Sequence, residues 1–189
     1  MEAPKMFKYL DIAFRPMEER DIELIREQHN EESTLLMLGD PTLVSPIQQK
    51  RWWEAMSQSR TNIQYCICHD NKNTVIGVWR FQNYDSINRN CEVGVDIFPE
   101  YRRKGFGEKA YRMILKYLFE HYNMHTIYLK TAEFNQAGIS LYTKIGFEQT
   151  GRLKETIFRY GRYWDNLLMC ITSDLYFKIG KYSKNSQER

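Results

Sequence analysis

Apolar residues recur along this chain at two spacings, and the switches between them mark out its elements. Residues 11–15 (DIAFR) alternate as a strand does. After Pro16, an acidic stretch at 18–30 places Ile22, Leu24, Ile25 and His29 at near-helical spacing and predicts a first helix. Residues 31–44 are irregular and carry Gly39-Asp40-Pro41, a loop signal. A second helix begins at Ser45, with Ser45 as N-cap, Pro46 at the first helical position and Gln48 completing a capping box; it carries Trp52, Trp53 and Met56. Residues 62–69 (NIQYCICH) and 74–82 (TVIGVWRFQ) read as hairpin strands around Asp70-Asn71-Lys72-Asn73. Residues 91–98 (CEVGVDIF) alternate again and stop at Pro99. An amphipathic helix is expected over 105–122, with Ala110, Ile114, Tyr117, Leu118 and His121 on one face. A strand at 126–131 (TIYLKT), a short helix at 136–144 ended by Gly146, and two strands around Tyr160-Gly161 complete the pattern. The tail after Lys181 is polar, repeats Ser, Lys and Asn, and is expected to fray.

The resulting order, β-α-α-β-β-β-α-β-α-β-β, predicts an α/β (α+β) domain with a mixed, mostly antiparallel sheet of about seven strands and four main helices. A length of 189 residues with neither linker nor internal repeat reads as one domain over 1–181 and a polar tail over 182–189. Aromatic residues make up 14%, which suits a Tyr/Phe-rich core and also rings lining a ligand pocket. Net charge is +3, from 27 basic and 24 acidic residues, too balanced for a nucleic-acid face. Cys66, Cys68, Cys91 and Cys170 lack CxxC spacing, and in the CxCH string strand alternation sets His69 opposite Cys66 and Cys68. No metal site is expected, and reduced thiols suit the cytoplasm. No signal-peptide pattern and no apolar run near 18 residues occur, so no membrane span is expected.

The most informative stretch is 93–107, VGVDIFPEYRRKGFG. A strand ends at a proline, a basic glycine-containing turn follows, and a helix starts directly after it. That order aims several backbone N–H groups and the positive end of a helix dipole at one place. Gly105 and Gly107 allow close approach of an anion, and Arg102, Arg103 and Lys104 add positive charge. These features together predict a phosphate or pyrophosphate ligand. The spacing is that of neither a Walker loop nor a Rossmann fingerprint.

Arg102-x-x-Gly105-x-Gly107 resembles the [QR]-x-x-G-x-[GA] acetyl-CoA signature of the GNAT N-acetyltransferases, and 129–147 (LKTAEFNQAGISLYTKIGF) resembles their second block. The resemblance runs from about residue 62 to 171. It implies acetyl-CoA as cofactor and a primary amine as acceptor. It implies pyrophosphate binding by the backbone of Arg103, Lys104, Gly105, Phe106, Gly107 and Glu108, with Arg102 in the signature. It further implies backbone pairing of Ile97 and Phe98 with the pantetheine arm, a cofactor contact from Asn135, and Tyr142 near the thioester sulfur. An alkyl amine with a pKa near 10.4 must lose a proton before attack. On this reading Tyr142 is the acid, a backbone N–H near Ile97 stabilises the oxyanion, and Glu92 is the proton acceptor, facing the groove with Gly94 and Asp96 if Val93, Val95 and Ile97 face the core. Direct transfer needs no acyl-enzyme.

Residues 147–171 resemble the C-terminal hairpin of ribosomal-protein alanine, spermidine and amino-sugar-nucleotide N-acetyltransferases. The last group is expected first, because the front half resembles it as well, in a loop with Pro and Ser before a helix bearing a Trp pair and then the YCI–VIGVWRF hairpin. Trp52, Trp53, Trp79 and Tyr84 suit stacking on a sugar or base, and covering the sheet is their other reading. Glu31 and Glu32 are where a polyamine pocket would find acidic groups. A non-catalytic acyl-CoA sensor is the reading from another class, and a homodimer would cover edge strands near the hairpin.

Overall fold

The computed structural model describes residues 7–69 and 74–185; the turn expected at 70–73 lies outside them. The chain packs as two compact units, Met1–Tyr84 with Val93–Ile114, and Asp85–Glu92 with Leu115–Arg189.

In the first unit, β1 (Phe7–Tyr9) and β2 (Ile12–Pro16) form a short antiparallel hairpin whose turn residue Leu10 has φ 55°. β2 pairs with β3 (Ile63–His69), and β3 with β4 (Thr74–Asp85), both antiparallel. Ile12 through Arg15 are all buried, so β2 does not alternate between a buried and an exposed face. Trp79 and Phe81 stand on one face of β4, where Trp79 stacks on Tyr65 at 4.8 Å and meets Phe14 edge-on at 5.2 Å. On the other face Ile25, Cys66, Cys68, Val78 and Phe98 form an apolar cluster under the helices. These are α1 (Ile22–Asn30), a one-turn α2 (Glu32–Leu35) and α3 (Pro46–Gln58). The α3 cap matches its sequence signal: the Gln48 N–H donates to Ser45 Oγ, and the Ser45 N–H donates to Gln48 Oε1 at 2.9 Å.

β5 (Asn90–Ile97) runs through both units and leads to α4 (Phe106–Lys116). In the second unit, β5 pairs in parallel with β6 (Thr126–Ala132) at Asn90, Cys91 and Glu92. β6 pairs with β8 (Arg162–Thr172), and β8 with β7 (Glu148–Arg159), both antiparallel. Tyr160 and Gly161, with φ 54° and 75°, make the primed turn that a tight hairpin requires. α5 (Gln136–Lys144) and α6 (Ser173–Asn185) complete the unit. The hydrogen-bonded order is β1-β2-β3-β4-β5 in the first unit and β5-β6-β8-β7 in the second. Edge strand β7 exposes Leu153 and Phe158, the kind of edge on which the expectation of a dimer rests.

Three expectations change. Eight strands form among the described residues, because the three residues of β1 make one, too short to show a period. Two further helices exist: α2 lies inside the stretch read as irregular, and α6 carries the chain on from β8 to Asn185. The helix expected over 105–122 ends in a π-helical turn, Tyr117–His121, whose extra residue rotates the side chains beyond it; Leu118 and Phe119 are buried while His121 is exposed. Among the described residues no helix is long and apolar enough to cross a membrane.

A buried ion pair of the first unit is that of Arg15, which grips Asp21 through two 2.7 Å bonds; the residues are 2% and 5% exposed. The Glu18 N–H and the Cys66 thiol also donate to Asp21 Oδ2, so one carboxylate joins β2, β3 and the entry to α1. Burial raises the Asp21 pKa, but the hydrogen bonds from Arg15 and Glu18 outweigh it and hold the carboxyl below its usual value. This stabilisation is therefore present above the unfolded carboxylate pKa and is lost as pH falls through the lower folded value. Asp21→Asn is expected to cost about 3 kcal/mol in urea unfolding at neutral pH, because it leaves Arg15 buried and unpaired. The cost should shrink in acid, and Arg15→Met with Asp21→Leu should recover most of it.

Candidate active site

Strand alternation sends Val78, Arg80 and Gln82 to the face of β4 opposite Trp79 and Phe81. Gln64 lies directly across from Arg80 on β3. Together with α1, α3 and the 34–44 segment, this face lines an open cleft of about 510 Å³, the cavity of this unit. Its apolar part includes Ile25, Val78 and Phe98, and Trp52 and Met56 reach it from α3. Its polar lining is unusual in carrying five glutamines, at 28, 48, 49, 64 and 82, with His29, Asp40, Arg80 and Asp96. Gln48 is committed to the α3 cap. Gln28 Oε1 is buried without a hydrogen-bond partner, an acceptor suited to a ligand N–H. Arg80 and Asp96 form an ion pair from neighbouring strands.

The basic loop leaves β5 through a 3-10 turn, Pro99–Tyr101. Arg103 and Gly105 take positive φ, 59° and 80°, and turn the chain into α4. The first N–H groups of a helix have no acceptor within it, so Phe106 and Gly107 present donors at this end. Phe106 is buried and packs edge-on against His69 and Tyr101, which anchors the helix start. The Glu108 carboxylate pairs with Arg112 at 3.0 Å. Arg103 and Lys104 are exposed, with Lys104 over the Tyr101 ring.

Arg102 behaves differently from its two neighbours. Its Nε donates to the Ile97 carbonyl at 2.8 Å, Nη1 to Ser33 O and Oγ at 3.1 Å, and Nη2 to Thr34 Oγ1 at 2.7 Å. Burial lowers its pKa, an effect partly offset by Asp96 and Glu31. This guanidinium is a clamp on the protein itself.

The clamp also bears on the backbone pairing expected of Ile97 and Phe98. The Ile97 carbonyl takes Arg102, the Phe98 N–H donates to Ile76 O at 2.9 Å, and the Phe98 carbonyl accepts from the Tyr101 N–H at 2.9 Å. By strand alternation, the edge of β5 opposite β4 belongs to Val95 and Ile97.

In the second unit, Asn135 is the N-cap of α5: Oδ1 accepts the Gly138 N–H and Nδ2 donates to Thr131 Oγ1, each at 3.1 Å. An Asn before a short helix is a cap signal, and it explains this residue within the chain. Tyr142 lies seven residues on, on the same face of α5, and its ring meets buried Phe147 edge-on at 6.2 Å. Glu92 pairs with Lys130 at 3.1 Å. Asp96, on the same strand face as Glu92, lines the cavity of the first unit.

Of the rings expected to stack on an acceptor, Trp52 lines the cavity, Trp79 is fully buried in the aromatic stack, and Tyr84 packs on Phe81. The sequence pattern set Asp96 on the groove face beside Glu92 without a role and singled out neither Arg80 nor Gln28; the available signal was a polar Arg80 and Gln82 alternating with apolar neighbours in β4.

Residues 11–148 match the family described as Acetyltransferase (GNAT) domain. The chain is similar to the spermidine N(1)-acetyltransferase of Escherichia coli K12, at 22% identity over 165 residues, 87% of this chain and 88% of that protein. It is similar to the spermidine N(1)-acetyltransferase of Vibrio cholerae, at 34% identity over 110 residues, 58% and 64% of the two chains. Its fold superposes on a crystal structure of spermidine N-acetyltransferase from Vibrio cholerae in complex with CoA and spermine, with a TM-score of 0.83 and 26% identity over 88% of this chain and 98% of that one. These three are named for the polyamine alternative, and none for the amino-sugar nucleotide expected first.

Replacing Arg102 separates a clamp from a phosphate contact. Arg102→Lys keeps the charge and loses the fork, so CoA binding measured by calorimetry should weaken about tenfold, nearly as far as in Arg102→Ala. A Lys variant that binds as wild type would return Arg102 to the phosphate.

Proposed function

The chain belongs to the GNAT acetyltransferase family and is an acetyl-CoA-dependent N-acetyltransferase, and from that premise we propose that its acceptor is a linear polyamine of the spermidine type held in the Trp52–Arg80–Asp96 cavity. The observation that carries this reading is the 0.83 TM-score to an enzyme solved with CoA and spermine. The cavity adds support, because Asp40 and Asp96 supply negative charge and Gln28 Oε1 supplies an acceptor for an ammonium N–H.

Each step then has an assigned group. The cofactor pyrophosphate sits on the backbone N–H groups from Arg103 to Gly107, at the positive end of α4, with Arg103 and Lys104 adding charge from solvent. The pantetheine amides pair with the outer edge of β5, at Val95 and Ile97, and the Ile97 N–H also serves the developing oxyanion. Asp96 binds the acceptor ammonium and passes its proton to water, which leaves a neutral amine to attack the thioester carbon. Glu92, paired with Lys130, serves as an electrostatic neighbour on the same strand face. Tyr142 donates its hydroxyl proton to the leaving CoA sulfur, an assignment supported by the Tyr-x-x-x-Gly-Phe resemblance. Asn135 acts by capping the helix that carries Tyr142.

A second acceptor class is favoured by one observation. Glutamines and a half-buried Trp52 suit a hydroxyl-rich amine such as an amino-sugar nucleotide, since amides pair with hydroxyls in both directions.

The test monitors free CoA thiol with acetyl-CoA and spermidine, spermine, a 4-amino-sugar nucleotide or a peptide with N-terminal alanine. Spermidine and spermine are expected to release thiol fastest, and Tyr142→Phe to lower kcat about a hundredfold with little change in KM. Asp96→Asn should raise the acceptor KM and also lower kcat, because it removes both the anchor and the proton relay. Turnover of the amino sugar alone would transfer the cavity to the second class. Acetyl-CoA binding without turnover of any amine would favour the sensor reading.

A further inference from the structure

We propose that Arg80 sets the acceptor specificity of this cavity by occupying Asp96, so that an acceptor ammonium reaches the carboxylate only by displacing the guanidinium. The inference rests on the reading that the cavity holds the acceptor, and it names the residue that decides which amines enter.

Arg80 and Asp96 are each about one-quarter exposed, at 26% and 27% of their side chains. Both are reachable from the cavity and partly screened, so one cation can replace another without leaving a carboxylate buried and bare. The strand beneath is shaped for the pair. A Cβ added at Gly94 would lie 2.9 Å from Arg80 Cζ and Nη2, so the guanidinium lies flat over that residue. Gly94 has no left-handed φ, so its backbone does not demand glycine; the space over it is what Arg80 uses.

The charge balance gives the arrangement its consequence. With Arg80 seated, the lining sets two carboxylates, Asp40 and Asp96, against one guanidinium. Asp40 is already engaged with the Thr42 N–H and hydroxyl. A cation entering beside Arg80 therefore meets a lining with a single net negative charge, and only one whose geometry wins Asp96 is anchored there. The guanidinium set free can turn toward an electron-rich group of the acceptor or toward Gln64 across the strand. Arg80 thus disfavours indiscriminate binding of amines while leaving a fitting one its anchor.

The experiment titrates spermidine calorimetrically into the CoA-bound protein. Arg80→Gln is expected to tighten binding about three- to tenfold, because Asp96 is freed. Gly94→Ala should act in the same direction, since its methyl group pushes the end of a flexible side chain rather than backbone. Arg80→Lys should stay within about twofold of wild type. In an Asp96→Asn background the gain from Arg80→Gln should disappear. Unchanged or weaker binding in Arg80→Gln, or a gain that survives Asp96→Asn, would overturn the proposal. Two controls isolate the underlying reading. If Trp52→Ala and Gln82→Leu both leave spermidine binding intact, the amine sits elsewhere and the acceptor assignment fails; if they weaken it while Arg80→Gln has no effect, only the role of Arg80 fails.

Discussion

One guanidinium holds the working end of the first unit together. Arg102 reaches the last carbonyl of β5 and two residues of α2, so the strand that bounds the cavity, the short helix near its mouth and the start of the basic loop share a single fork of donors. Carbonyl and hydroxyl groups accept every one of these bonds, and the charge is partly buried with them. A planar group with five donors in fixed geometry can do this; a flexible ammonium cannot. The clamp also fixes which backbone groups of β5 remain for a cofactor, because the Ile97 carbonyl and both polar groups of Phe98 are satisfied inside the protein.

The cavity arises from the two faces of β4. Phe14, Tyr65, Trp79 and Phe81 stack on one side, which buries large rings against each other and leaves the opposite side for shorter and polar residues. α1 and α3 bridge that polar side without filling it, since Gln49 and Trp52 stand where a tight core would place aliphatic groups. A volume of about 510 Å³ lined by amides and two carboxylates is costly for a core and useful for a ligand. The buried Arg15–Asp21 pair secures the frame behind it, joining the sheet to the first turn of the helical cover.

Much of the fold was legible because its local signals are strong. The capping box at Ser45, the glycine that ends α5 and the Tyr160-Gly161 turn each satisfy backbone groups within a few residues, so the chain states them locally. The one-turn helix α2 and the π-helical turn were hidden: α2 is four residues long and takes Arg102 from a distant loop, and the π turn interrupts a periodicity that the sequence carries straight through. The cavity residues were partly visible: Asp96 stood beside Glu92 in the alternation, yet nothing local said which carboxylate would face the cavity and which would meet Lys130.

By itself the sequence determined the family and the cofactor, and it pointed to the basic loop, since a strand, a basic glycine turn and a helix start aim N–H donors at one place wherever they occur together. It also determined the α/β alternation, because apolar period dictates which face each element buries. Only the tertiary structure decided the use of individual side chains. Arg102 turned inward as a clamp, Asn135 became a cap, Trp79 entered the core while Trp52 reached the cavity, and Arg80 came to rest on Asp96. The reason is physical: a side chain's type limits the partners it can satisfy, but the partner it meets is set by the distant strand or helix that packing brings within about 3 Å.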